Sequence, residues 1–213
     1  MRHLTTFAAT LLVSAALHAQ TEWVNPFIGT SNFGACNPGA VVPNGMMSVS
    51  PFNVMGSQLN TWDKDSRWWS TPYVAENRFF TGFTHVNLSG VGCPELGSLL
   101  TMPTTGPLQV DYHIYGSEYR NEVAHPGYYS VELLSGIRAE ATVTTRSSLE
   151  RYTFPGGEGN ILLNLGEGLT NESGATIFLV NPHSKGRCSD DDTDIFVHKS
   201  LLVGQFFIVI PSF

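Results

Sequence analysis

From residue 127 onward, hydrophobic and polar positions alternate along the chain with a period of two. Tyr129, Val131 and Leu133 fall on one side and Ser130 and Glu132 on the other; after Ser135-Gly136, the residues Ile137, Ala139, Ala141 and Val143 alternate with Arg138, Glu140, Thr142 and Thr144. Successive side chains of a strand point to opposite faces, so this pattern predicts a β-hairpin with one buried face. Residues 149–154, 160–165 and 176–180 continue as short strands, set apart by Pro155-Gly156-Gly157 and Gly166-Glu167-Gly168. No helical period stands out beyond the first 19 residues. The fold class expected is all-β, a β-sandwich (supersandwich-like) of antiparallel strands with long loops.

The first 80 residues behave differently. Arg2 and His3 precede an apolar run through Val13 and then small residues, which is the layout of a cleavable secretory signal over residues 1–19. The run is shorter than the roughly 20 apolar residues a bilayer span requires, and no other segment is long enough, so no membrane span is expected. Residues 20–80 concentrate Pro, Asn and Trp with turn formers every few positions, the signature of shaped loops between short strands. The expected organisation is a signal at 1–19, one sandwich domain at 20–180, and a divergent tail at 181–213 whose polar run and terminal apolar segment fit a frameshift or truncation.

Charge narrows the choice of partner. The 213 residues carry a formal charge of −7 and only 14% charged side chains; loss of Arg2 with the signal makes the exported chain one unit more negative. Nucleic acid and anionic membranes are therefore poor partners, and a neutral polar ligand such as a sugar suits the composition. Three cysteines, Cys36, Cys93 and Cys188, form no Cys-x-x-Cys pair, which excludes a zinc ribbon. Cys36 and Cys93 are either a disulfide of an oxidising compartment or two small buried thiols.

Several apparent motifs fail on their own chemistry. Gly90-Val91-Gly92 lacks the third glycine of a dinucleotide fingerprint, since Glu95 occupies that position. Asp190, Asp192 and Asp194 have the spacing of a calcium loop, but Ile195 and Leu201 stand where glycine and glutamate are needed. Ser89, His85 and Asp111 have no nucleophile elbow. Glycoside hydrolysis needs two carboxylates flanking the bond, and nothing pairs Glu95, Glu122, Glu167 or Glu172, for which surface roles are expected. More promising are Trp62, Trp68 and Trp69 among charged and hydroxyl neighbours, because indole faces receive the C–H faces of sugars. His85 and Asn87 are two apart, so an extended segment would present both on one polar face, with Val86 and Leu88 turned to the core.

The segments Val24-Asn25-Pro26-Phe27-Ile28-Gly29-Thr30, Pro38-Gly39-Ala40-Val41-Val42-Pro43-Asn44-Gly45-Met46 and Gly82-Phe83-Thr84-His85-Val86-Asn87-Leu88-Ser89-Gly90 carry a resemblance. Together with Met102-Pro103-Thr104-Thr105-Gly106, the stretch from Asn121 to Tyr129, and Arg151-Tyr152-Thr153-Phe154-Pro155, they resemble the N-terminal domain of glycoside hydrolase family 92, the calcium-dependent exo-α-mannosidases. The resemblance runs in order from about residue 22 to about residue 175. Asn87 stands where that family commonly has a second histidine.

What the resemblance implies is specific. The chain would be the sandwich portion of an exported, periplasmic or extracellular exo-α-mannosidase that hydrolyses terminal α-mannose, for example α-1,2-linked, with inversion. The catalytic (α/α)6 barrel and the calcium ligands would lie outside this chain, which alone would be inactive; no metal ligand and no catalytic residue is expected within it. Its partners would be a mannose-containing glycan and the missing barrel, and Trp68, Trp69, His85 and Asn87 would border the sugar pocket. The alternatives are a free-standing carbohydrate-binding sandwich or a nonfunctional gene fragment.

Overall fold

The hairpin expected after residue 127 is present. In the computed structural model, β7 (Tyr128–Leu133) pairs antiparallel with β8 (Arg138–Val143), with Val131 opposite Ala139. The turn closes through the Gly136 amide donating to the Leu133 carbonyl, 2.9 Å. Gly136 has φ +86°, a conformation that only glycine adopts without strain. The structure describes residues 21–56, 59–60, 70–90, 92–94, 96–156, 159–164 and 168–169, and the backbone alone of 176–179, 195–198 and 206–208. The expected signal at 1–19 lies outside the described residues.

Two five-stranded antiparallel sheets make the sandwich. The first runs in the order β1 (Ala40–Val41), β2 (Ser48–Phe52), β4 (Gly82–Asn87), β5 (Leu96–Thr105), β10 (Gly159–Asn164); the second runs β3 (Phe79–Phe80), β6 (Ser117–His125), β7, β8, β9 (Ser148–Thr153). In the tail region, β11 (Thr176–Leu179) pairs with β12 (Ile195–His198) and β12 with β13 (Phe206–Ile208). The apolar tail strand thus has a backbone partner.

The core between the sheets takes Val49, Phe83, Leu99 and Met102 from one side and Tyr129, Val131, Leu133, Ala139 and Ala141 from the other. Phe83 meets the ring of Tyr129 edge-on at 5.9 Å and that of Phe80 at 5.0 Å. Each such large side chain contributes about 1.5–3 kcal/mol by leaving water. The first sheet is also covered on its other face, where Phe52, Val54, Met55, Val74, Leu100 and Leu169 form a second, smaller core. That is why β2 is buried throughout and shows no alternation.

One short helix was not foreseen. Asp111 caps α1 (Tyr112–Tyr115) by accepting from the His113 amide, 2.9 Å, and this four-residue turn carries too little periodicity to be seen in sequence.

Candidate functional site

The candidate site lies where β4 leaves the first sheet. β4 carries Phe83 and His85 toward the second sheet, with a register shift against β5 between these two residues. At Val86 the backbone turns to φ +56°, and Gly90, Leu96, Gly97 and Leu99 are also at positive φ. A β-branched residue in the left-handed region costs of order 1–3 kcal/mol, so this corner holds concentrated strain.

Loops converge on the corner through polar contacts. The Gly90 amide donates to the Ala35 carbonyl at 2.6 Å, and Asn37 Nδ2 donates to Ser89 Oγ at 3.1 Å. Thr71 Oγ1 donates to the Cys36 carbonyl at 3.2 Å, tying residues 70–74 to the same loop. Farther along, the Asn32 amide donates to the Glu76 carboxylate and the Ala75 amide to the Thr30 carbonyl.

The structure separates the sequence candidates. Asn87 is half-buried; its Oδ1 accepts from Thr84 Oγ1 and its Nδ2 donates to the Thr84 carbonyl, each at 2.9 Å. His85 is only 1% exposed and faces the interior, Nδ1 donating to the Leu99 carbonyl at 2.7 Å and Nε2 meeting Glu150 Oε1. The expected division of faces is therefore corrected: His85 points into the core, Val86 joins that core through its positive φ, and Leu88 is exposed. A central strand covered on both sides has no outer polar face to offer. Trp62, Trp68 and Trp69 lie outside the described residues, as do Glu95, Glu167, Glu172 and the Asp190 to Asp194 run. Cys36 and Cys93 are both free thiols, one half-buried and the other exposed, so the candidate disulfide is not formed and the alternative of two buried thiols holds for neither fully. The rejected Ser89, His85, Asp111 triple is not assembled, since each side chain has a different partner.

Two carboxylates drawn inward by the fold escape the sequence pattern: Glu150, which is buried, and Glu122, which is half-buried. Glu150, on β9, receives Thr101 Oγ1 at 2.8 Å and the Tyr152 hydroxyl on Oε2, and His85 on Oε1. Burial alone would push its carboxyl up, but the His85 charge and these hydrogen bonds outweigh it and hold the group below the usual carboxylate value. Burial likewise works against a charged His85 ring, and Glu150 together with the Leu99 carbonyl overcomes it, raising the histidine above its ordinary value. The signal for Glu150 was its parity with Tyr152: on β9 these two are buried while apolar Leu149 is 52% exposed.

Glu122, expected at the surface, sits on β6 and receives the Tyr73 hydroxyl at 2.9 Å and that of Tyr129. Burial pushes its carboxyl up, against the hydrogen bonds of both tyrosines. Tyr119, pushed up to about 12 by burial and by Glu122, accepts from Asn53 Nδ2 and donates to the Asn77 carbonyl, each at 2.9 Å. Asn53 in turn holds both the amide and the carbonyl of Val74 at 2.9 Å. Among the described residues, no group of three or more His, Cys, Asp or Glu side chains is placed to hold a metal ion. No helix among them is long and apolar enough to cross a membrane.

Two antiparallel sheets packed over a shared core, with a strained and loop-rich corner at the end of β4, define the class: a β-sandwich domain. Residues 23–201 match the glycosyl hydrolase family 92 N-terminal domain, and the chain belongs to that family. The match runs past residue 180, where the sequence pattern placed the domain's end. An uncharacterized secreted glycosidase of Arthroderma benhamiae is 30% identical over 146 residues, covering 63% of this chain and 17% of the relative. A family 92 α-mannosidase from Bacteroides thetaiotaomicron superposes with TM-score 0.67 and 28% identity, over 83% of this chain and 23% of its own; it has also been solved in complex with mannoimidazole. An inverting family 92 mannosidase of the same organism, 20% identical at TM-score 0.56, shares the fold, with 83% of this chain and 24% of that one covered. The chain thus spans roughly a fifth of the length of these relatives.

Proposed function

We propose that this chain is the carbohydrate-contacting N-terminal sandwich of an exported, periplasmic or extracellular exo-α-mannosidase that hydrolyses terminal α-mannose with inversion, and that without an (α/α)6 catalytic barrel it is inactive. The observation that carries the reading is membership in the family together with 28% identity to a solved α-mannosidase. The secreted glycosidase among its relatives supports export. Strain gathered at the β4 corner supports a site there, because such conformations persist where a particular backbone shape is required.

In this reading Asn87, Trp68 and Trp69 meet the sugar. The amide of Asn87 keeps a second hydrogen and a second lone pair beyond its Thr84 bonds, the complement of a sugar hydroxyl. His85, sealed inside, acts by holding β4 in place from beneath. Calcium, in this reading, is held by the barrel, and no step here runs through it.

The test is an NMR titration of the full chain with an α-1,2-linked mannobiose, together with an assay of mannose release with and without calcium. Expected are shift changes at Asn87 and the residue 88–94 loop, lost in Trp68→Ala or Trp69→Ala, and no mannose release. Absence of any shift change at tens of millimolar sugar would sink the carbohydrate contact. Release of mannose by this chain alone would overturn its inactivity.

A further inference from the structure

His85 on β4 and Glu150 on β9 meet across the core, joining the first sheet to the second. Donor and acceptor accounting sets their protonation. The Leu99 carbonyl can only accept, so Nδ1 carries a proton. Glu150 Oε2 takes hydroxyl donors from Thr101 and Tyr152, an arrangement that favours an ionised carboxylate, and the remaining oxygen then requires a proton on Nε2. The ring is therefore an imidazolium with both nitrogens donating. The backbone neighbours of His85 are Val49 on β2 and Ser98 on β5, neither titratable; β9 contributes Glu150 and, behind it, Tyr152, whose hydroxyl burial holds protonated well above its ordinary value.

We propose that His85 and Glu150 form an imidazolium–carboxylate clasp between the two sheets, which fastens the domain in mildly acidic solution and slackens when either partner loses its charge. The direction follows by linkage. Glu150 is held below the ordinary 4.5, so its contribution is whole above that value and is lost as pH falls through its lowered one. His85 is held above the ordinary 6.5, so its contribution is whole below that value and is lost as pH rises through its raised one. The clasp is strongest between these limits. Its consequence for an exported domain is a stability that depends on the acidity of the medium rather than on a disulfide.

The experiment follows thermal melting of the full chain from pH 4 to 10 for the wild type, His85→Gln, Glu150→Gln and the double variant. Either single substitution should lower the midpoint near pH 6 by about 10 °C, because it strands a buried charge. The double variant should lose much less than the sum, and the wild type's advantage over His85→Gln should shrink steadily in alkali. Parallel pH curves for wild type and His85→Gln would overturn the clasp. Should the variants fail to fold, nitrogen-15 NMR of the wild type decides: two protonated ring nitrogens on His85 at pH 6 support it, and one bare nitrogen removes it.

Discussion

At the scale of single residues, buried Glu150 and half-buried Glu122 have opposite electrostatics. Glu150 has a cationic partner against it and is pulled down; Glu122 is pushed up by burial, which outweighs the hydrogen bonds of Tyr129 and Tyr73 and the more distant charge of Arg78. The sign of its effect is therefore reversed. A carboxyl raised in the folded state lends stability below its ordinary value near 4.5 and loses it as pH climbs through the raised one. Replacing Glu122 by Gln should remove that slope: relative to the variant, the wild type should lose up to ~1.4 kcal/mol for each unit by which the carboxyl is raised. Urea titrations of the two proteins between pH 4 and 8 measure it, and equal slopes would contradict the assignment.

Elements add a constraint no single contact contains. Gly82 opens β4 with φ +145°, and a Cβ there would come 2.5 Å from the Thr101 carbonyl oxygen and 3.0 Å from the Leu100 side chain. Both obstacles belong to β5, the strand that pairs with β4 and carries His85's acceptor Leu99. Gly82→Ala should therefore cost about 2 kcal/mol or more, read as a lower urea midpoint. Hydrogen exchange should show the loss of protection centred on β4 and β5 rather than on the β7–β8 hairpin. Uniform loss over both sheets would mean that the strain is not local to this strand pair.

For the molecule as a whole, the question is what the sandwich does by itself. The two sheets close over one core and a second core backs the first sheet. If the barrel holds the calcium, as proposed, a chelator should leave the melting midpoint of this chain within about 1 °C, because an ion that does not bind the folded state cannot stabilise it. A drop of several degrees would place a calcium site inside this chain and revise the division of labour proposed between sandwich and barrel.

Much of this was legible in the sequence, and the boundary is a physical one. The two-residue period from Tyr129 to Val143 announced the hairpin and its inner face, because alternation is a property of the strand itself and needs no partner to be read. The ordered family segments likewise pointed to the fold. What the sequence alone could not determine was the direction of His85, whose partner Glu150 lies 65 residues away on the opposite sheet. Nor could it separate Cys36 from Cys93, since that depends on where two loops come to rest. Glu122 looked like a surface carboxylate until β6 brought it beside Tyr73 and Tyr129. Period and turn chemistry are local and survive in the linear chain; the face a central strand turns inward, and the partner that makes a buried charge tolerable, exist only once the two sheets have packed together.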